Sequence, residues 1–500
     1  MNVMTVEGAA RETVTPIEHF DVLIVGAGIS GIGAAKHLQD QCPGKSYVIL
    51  EAFESFGGTW WSHRYPGIRS DSDLYTFGYR FKPWIGPPIA TRDEILKYLG
   101  EVIAENDLAP NIRYRHRITH AEWDSAANRW TLRGTNADGP FAISATFLWM
   151  CQGYYRHLKG YIPDWEGLES YRGVFLHSME WPEGGLDYAG KRVAIIGSGA
   201  TTATIVPNMP EAAHVTVVQR SPTYFYPAPN RQDAADTMRA LGVPEMTVHD
   251  VTRRKILHDQ HEITERCVEE PEVVKSELLA AARLFLGDDY PIDPHFTPRY
   301  RPWQQRLAYL PDGDMFIGIA SGKASMVTGE IARFEETGIR MTDGTLVEAD
   351  IVIAATGFNL SILGDIAFAI DGRPLDFGQC ITYRGMMFTG IPNMAWIFGY
   401  FRYSWTLRVD LVADFVCRLL NHMDAKGVRR VEVALRPEDH NMPILPFIDE
   451  ANFNPNYLKR DLHRLPKRGD KPEWQHNQDY PRELRELPAI DLDDRAFVYA

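Results

Sequence analysis

Apolar residues in this chain gather into short unbroken runs that end at glycine, and two of these runs share one layout. Asp21-Val22-Leu23-Ile24-Val25 has the continuous apolar character of a strand covered on both faces. It meets the turn Gly26-Ala27-Gly28-Ile29-Ser30-Gly31, and helical spacing continues from Ile32 to Leu38. Tyr47-Val48-Ile49-Leu50 returns as a second strand and ends at Glu51. The layout recurs at Arg192 to Ile196, at the turn Gly197-Ser198-Gly199-Ala200-Thr201-Thr202 with Ala203 and Thr204 behind it, and at His214 to Val218. Period-two alternation in Trp130 to Arg133 and Phe141 to Ile143 predicts antiparallel ribbons across Ile112 to Met150. Residues 231–298 carry charged helical periodicity and predict a helical insertion. Asp350 to Gly357 predicts another buried strand, and an amphipathic helix is expected from about Leu407 to Met423.

A glycine-rich turn between a buried strand and a helix is the physical form of a dinucleotide site. Gly26 permits the tight turn, Gly28 lets backbone approach a pyrophosphate, Gly31 lets the helix pack closely on the sheet, and the helix N-terminus offers unpaired N–H groups. Glu51, about 20 residues beyond Gly31, is placed to accept from ribose hydroxyls. A carboxylate there repels a 2′-phosphate, so this site suits FAD or NAD. The second turn has Thr202 where a third glycine would stand, so helix and sheet are expected to sit slightly further apart. Its second strand runs into Gln219-Arg220-Ser221 in place of an acid. Guanidinium beside hydroxyl is what a 2′-phosphate needs, which favours NADPH over the plainer reading of a solvated arginine. Two such sites in one chain imply electron transfer between two bound dinucleotides. The fold class is α/β, with two Rossmann-like dinucleotide-binding domains (FAD and NADPH) and a helical insertion. The expected division is an FAD-binding domain over 1–155 and 346–500, and an NADPH-binding domain over 156–230 and 299–345 with the insertion 231–298 between its parts.

Composition narrows the class. A hydrophobic fraction of 45% is ordinary for a globular enzyme, and a net charge of −14 argues against nucleic acid as the main partner. The five cysteines are scattered with no C-x-x-C pair, which fits a reducing, cytoplasmic compartment and gives no zinc or disulfide framework. The first 19 residues are polar, without the apolar core of a signal peptide. The apolar stretch Met386 to Phe401 is broken by Gly390, Pro392 and Asn393, so it reads as buried strand and turn and not as a membrane span, with peripheral membrane contact left open. His258 and His261 are the nearest histidine pair, and no metal-ligand spacing is found.

Three further motifs carry a resemblance. Gly58-Thr59-Trp60 is followed by Arg64-Tyr65-Pro66-Gly67 and Asp71, and Tyr171-x-Gly173-x-x-x-His177-x-x-x-Trp181-Pro182 lies between the two glycine turns. Over nearly the whole chain these make it similar to the class B flavoprotein monooxygenases, the Baeyer–Villiger monooxygenases, and most of all to the branch that includes the ethionamide-activating mycobacterial monooxygenase. Tyr171 stands where the family's signature opens with Phe.

The resemblance implies a defined chemistry and places residues in it. NADPH reduces FAD, the flavin captures dioxygen as a C4a-peroxide, and oxygen passes to a ketone, giving an ester or lactone, or to a thioether or thiocarbonyl at sulfur, with NADP+ retained during the cycle. Arg306, in Trp303-Gln304-Gln305-Arg306, matches the catalytic arginine, and Asp71 its aspartate partner, though Asp71 also sits in a typical helix-start sequence. Gln305 replaces a lysine common in the family, which leaves NADPH selectivity more dependent on Arg220 and Ser221. Thr59, Trp60, Trp61 and Ser62 are placed along the flavin, Arg69 and Ser70 near the nicotinamide, Ile118 at the adenine, and Ser198 through Thr204 at the NADPH pyrophosphate. Gly173, His177, Trp181 and Pro182 form the interdomain linker, with His177 coupling domain movement instead of acting as a base. Tyr75, Phe77, Met386, Met387, Trp405 and Thr406 are substrate-pocket candidates. Competing readings are a flavin-dependent reductase, which would need a redox cysteine pair or quinone site, an N-hydroxylating monooxygenase, and a non-catalytic flavoprotein.

Overall fold

The computed structural model describes residues 17–500, so the polar stretch at the start of the chain lies outside the described residues up to residue 16. Two sheets organise the molecule. In the first, Glu18–Val25 lies parallel between Tyr47–Leu50 and Gly139–Met150. Gly139–Met150 serves two neighbours in turn. Its first part closes an antiparallel ribbon with Arg129–Asn136 and Arg117–Asp124, and its last residues run parallel to Met394–Trp396. The alternation read across 112–150 is thus a ribbon growing out of the parallel sheet.

The second sheet has the order Ala324–Thr328, His214–Gln219, Arg192–Ile196, Ile351–Ala354, Val174–His177, parallel throughout. Ile351–Ala354 belongs to this sheet and Leu346–Glu348 pairs with Gly338–Met341, so the chain returns to the first sheet only after Ala354, and the boundary expected at 346 falls two strands early. An unbroken apolar strand looks the same in sequence whichever sheet receives it; pairing decides. Asp233–Ala240, Glu245–Glu269 and Pro271–Leu286 form the helical insertion.

The helix expected near Leu407 to Met423 spans Trp405–Lys426 and is buried on almost every side, including Arg408 and Asp410. Arg408 pairs with Glu483 at 2.9 Å with both side chains essentially inaccessible, and Glu483 also accepts from the Tyr400 hydroxyl. Asp410 accepts from His37 of the helix Ile29–Gln41 at 2.9 Å. Buried polar groups survive only when satisfied; the first pair fixes the long helix to Tyr480–Glu486 and the second to the helix that follows the first glycine turn. Two short crossings join the sheets: Tyr155–Gly160 and Phe358–Leu360 pair antiparallel with each other. Among the described residues, no helix is long and apolar enough to cross a membrane, no cluster of metal-ligating side chains is present, and all five cysteines are free and buried.

Candidate active site

A cavity of about 850 Å³ is lined by Gly28, Glu51 and Ile118 of the first sheet's side, by Gly199, Thr201 and Thr204 of the second glycine turn, and by Arg306. The first turn is shaped by what it excludes. Gly26 has φ +100°, and a Cβ there would lie 2.9 Å from the Cys151 carbonyl; a Cβ on Gly31 would lie 1.9 Å from the Gly26 carbonyl. Gly28 faces Gly58, each lacking a side chain, so a slot of bare backbone leads to the start of the helix Ile29–Gln41, which has no side-chain cap. Uncapped N–H groups above a glycine slot are a seat for a pyrophosphate. Glu51 Oε2 accepts from the Ala27 N–H (2.7 Å) and Oε1 from the Phe53 N–H (2.8 Å). The carboxylate therefore braces the turn as well as lining the cavity, with lone pairs left over for a diol. Burial pushes its pKa up against those N–H groups. These features fit the adenosine and pyrophosphate part of a dinucleotide.

Within the short helix Thr59–Ser62, Thr59 and Trp60 line the cavity, as does His63 after it. Trp61 and Ser62 do not. Trp61 lies under the guanidinium groups of Arg64 and Arg92, and the Ser62 hydroxyl meets His157 Nδ1 at 3.1 Å. The helical turn points these two away from the cavity. Ser70 is likewise turned inward: its hydroxyl donates to the Ser72 carbonyl (2.6 Å) and accepts from the Ser72 N–H. Arg69 lines the cavity and is held by Asp314 of the second unit at 2.5 Å.

In the second turn, Gly199, Ala200, Thr201 and Thr204 line the cavity, while Thr202 and Ala203 are buried behind it. Gly197 has φ +140°, and a Cβ there would meet the Ala355 carbonyl at 2.4 Å, so the end of the strand Ile351–Ala354 presses on this turn. The Ser198 hydroxyl donates to the Ser221 carbonyl (2.9 Å), tying the turn to the Arg220–Ser221 corner. Arg220 and Ser221 are exposed just outside the cavity, and Arg220 has no carboxylate partner among the described residues.

Arg306 and Asp71 meet. Nε and Nη2 of Arg306 donate to the two oxygens of Asp71 at 2.6 and 2.7 Å, Nη2 also to Ser72 Oγ (3.0 Å), and Nη1 to the Phe401 carbonyl (2.9 Å). A guanidinium has five N–H groups, so one remains, and the pair is a third exposed because it faces the cavity. Burial disfavours the charge, but the Asp71 carboxylate holds the guanidinium above its ordinary pKa. The site thus contains a cation that stays charged at any working pH. The helix cap at this loop is Asp73, accepting from the Tyr75 N–H, which leaves Asp71 free for Arg306.

His177 is buried at the cavity wall. Its Nδ1 accepts from the Met179 N–H (3.2 Å) and its Nε2 has no partner; burial pushes it down to about 4. His63 and His157 beside it are pushed by burial to about 3 and about 4, so all three imidazoles are neutral. Trp181 is in the core of the second unit, the Pro182 carbonyl accepts from Gly185, and Gly173 makes room for the Tyr171 hydroxyl, which donates to the Ala349 carbonyl (2.9 Å). Of the pocket candidates, Phe77 and Trp405 line the cavity; Tyr75, Met386, Met387 and Thr406 are core residues. Sequence reading passed over Tyr154, Tyr155 and Tyr457, which line the cavity near Arg306. The Tyr154-Tyr155 pair follows the carboxyl end of the parallel part of Gly139–Met150, the edge where ligands bind in open α/β sheets, and that position was a usable signal. Tyr457 carried none.

Residues 24–83 match the NAD(P)-binding Rossmann-like domain family. The chain is 44% identical to the FAD-containing monooxygenase EthA of Mycolicibacterium smegmatis over 96% of its length and 97% of the relative's. It is 43% identical to the FAD-containing monooxygenase EthA of Mycobacterium tuberculosis, over 97% and 98%. Its fold matches a structure of cyclohexanone monooxygenase from Rhodococcus sp. Phi1 bound to NADP+, with a TM-score of 0.75 at 21% identity, covering 97% of this chain and 99% of that one.

Proposed function

Because this chain belongs to the EthA-type FAD-containing monooxygenases, with FAD and NADP(H) as its cofactors, we propose that it transfers one atom of dioxygen to small-molecule ketones, to thioethers or thiocarbonyls at sulfur, or to both. When bound, FAD supplies dioxygen activation and NADPH the hydride that precedes it. We assign the first sheet and its glycine slot to FAD and the second sheet to NADPH. Gly26, Gly28, Ser30 and Glu51 hold the first cofactor, with Gly31 letting the helix close on the turn; Gly199, Ala200, Thr201 and Thr204 hold the second, with Thr202 and Ala203 packed behind them. Asp71 orients Arg306, which places a permanent positive charge and one free N–H on the cavity where negative charge develops.

The observation that carries this reading is the Arg306–Asp71 fork opening onto a cavity bounded by both glycine turns. It favours oxygenation over disulfide reduction, because among the described residues Cys151 is the one cysteine on the cavity wall. Five free, buried thiols support a reducing cytoplasmic location. The test is product analysis of a ketone and thioether panel with NADPH regeneration. Esters, lactones or sulfoxides in proportion to NADPH consumed are expected; NADPH consumption yielding hydrogen peroxide alone would refute the reading.

Arg220 gives a separate prediction. An exposed guanidinium without an acidic partner at the end of His214–Gln219 is free to take a 2′-phosphate. Arg220→Ala should raise KM for NADPH by on the order of tenfold and leave KM for NADH nearly unchanged, since a charge-assisted bond is worth about 1.5–3 kcal/mol. Equal losses with both cofactors would place the contact elsewhere.

A further inference from the structure

Three tyrosines that no motif marks stand together on the cavity wall. Tyr154 and Tyr155 follow Gly153, whose φ of +75° turns the chain out of the first sheet. Tyr457 comes from the far end of the chain, in Asn456–Asp461. The Tyr154 and Tyr155 hydroxyls are hydrogen-bonded to each other, and the Tyr457 ring packs against both, its centroid 6.4 Å from Tyr154 and 6.0 Å from Tyr155. The surroundings hold the cluster in place. Tyr154 stacks on Trp405 with centroids 5.1 Å apart and planes at 8°, and Trp405 Nε1 donates to Ser30 Oγ in the first glycine turn (2.8 Å). The segment leading to Tyr457 is bonded to the one leading to Arg306: the Asn454 N–H donates to the Gln304 carbonyl (2.9 Å), and Gln305 Nε2 to Asn454 Oδ1 (3.3 Å).

The chemistry of this cluster is that of a donor. Burial pushes all three phenols above their ordinary pKa, even with the Arg306 charge nearby, so they remain protonated. Arg306 and Asp71 are the charged groups that face them, and Asp71 is committed to Arg306. Each phenol has one O–H to donate, and all three side chains line the cavity, where a ligand oxygen can compete for that proton.

We propose that Tyr154, Tyr155 and Tyr457, together with the free N–H of Arg306, form the donor set that binds the carbonyl oxygen of a ketone substrate. When an oxygen nucleophile bonds to the carbonyl carbon, the π pair moves onto the carbonyl oxygen, and preorganised donors stabilise the charge arising there. Sulfur oxidation makes a different demand. The sulfur lone pair forms the S–O bond as the oxidant's O–O bond breaks and the electron pair leaves on the departing oxygen, so no carbonyl oxygen is present for these donors to hold. The proposal rests on the monooxygenase reading above and specifies its carbonyl branch.

The test compares Tyr457→Phe and Tyr155→Phe with the wild type on one ketone and one thioether. Loss of one donor to a developing oxyanion should lower kcat for the ketone by on the order of 10²-fold, with a much smaller change in thioether oxidation and in the rate of flavin reduction by NADPH. A second readout needs no turnover: the infrared carbonyl stretch of a 13C-labelled ketone bound to the oxidised holoenzyme should lie at lower frequency in the wild type than in either variant. Equal losses on both substrates in both variants, no loss on the ketone, or an unshifted carbonyl band would each overturn the proposal. So would a wild type that oxidises thioethers alone. A wild type that oxygenates neither substrate would instead overturn the monooxygenase reading itself.

Discussion

Arg306→Ala is expected to keep consuming NADPH while product formation falls by on the order of 10²–10³-fold, with hydrogen peroxide released in place of product. The expectation comes from the geometry of one side chain. Four of its five N–H groups are fixed to Asp71, Ser72 and the Phe401 carbonyl, which leaves the guanidinium little freedom to reorganise and the fifth uncommitted in a side chain that lines the cavity. Fixed charge in a water-poor site acts with little reorganisation at the moment of reaction, and this is why it outweighs a single ordinary hydrogen bond. We assign NADPH binding to other residues, the second glycine turn and its Arg220 corner, so hydride delivery should survive the substitution. Arg306→Lys restores charge without the fork and should recover only part of the loss, because an ammonium cannot hold both Asp71 oxygens in the same plane. Stopped-flow measurement of flavin reduction beside product quantification separates the two halves of the cycle. Unchanged product formation in Arg306→Ala would remove Arg306 from the mechanism.

How far the site was legible in the sequence follows from how local each feature is. Both glycine turns could be read because strand, turn and helix occupy consecutive residues, and each glycine answers a steric demand within that unit. The Arg306–Asp71 pair spans a separation of 235 residues, and only the family resemblance joined the two; taken alone, Arg306 is one arginine among many. Inside the right segments, side-chain direction was the weak point. Trp61 and Ser62 sit beside Thr59 and Trp60 in sequence, but a helical turn sends them the opposite way. Ser70 is consumed by its own turn through Ser72. Met386 and Met387 have the apolar character of pocket residues and are core, since burial in a cavity wall and burial in a core use the same residue types. Tyr457 reaches the site through a long excursion of the chain that leaves no local trace.

Gly31→Ala should deprive the protein of FAD. The added Cβ would stand 1.9 Å from the Gly26 carbonyl oxygen and 3.0 Å from its carbon, and both are backbone, so no rotamer change relieves the overlap. Gly26 cannot retreat: its N–H donates to the Leu50 carbonyl at 2.8 Å, and the Cys151 carbonyl stands only 2.9 Å from where a Cβ of Gly26 would lie. The helix Ile29–Gln41 must then move off the sheet, carrying with it the N–H groups above the glycine slot. Overpacking of this kind destabilises by about 1–3 kcal/mol, and since the displaced groups are those we assign to the pyrophosphate, the FAD dissociation constant should rise by on the order of 10- to 100-fold. The second turn supplies the contrast, because Thr202 occupies the matching position there and is accommodated fully buried. Gly44→Ala, where a Cβ meets nothing within 4 Å, is the control and should retain the cofactor. The ratio of flavin to protein absorbance after gel filtration reads the result directly. A Gly31→Ala protein that emerges with its full complement of flavin would show that the helix can shift without disturbing the slot, and the first turn would lose its claim to the pyrophosphate.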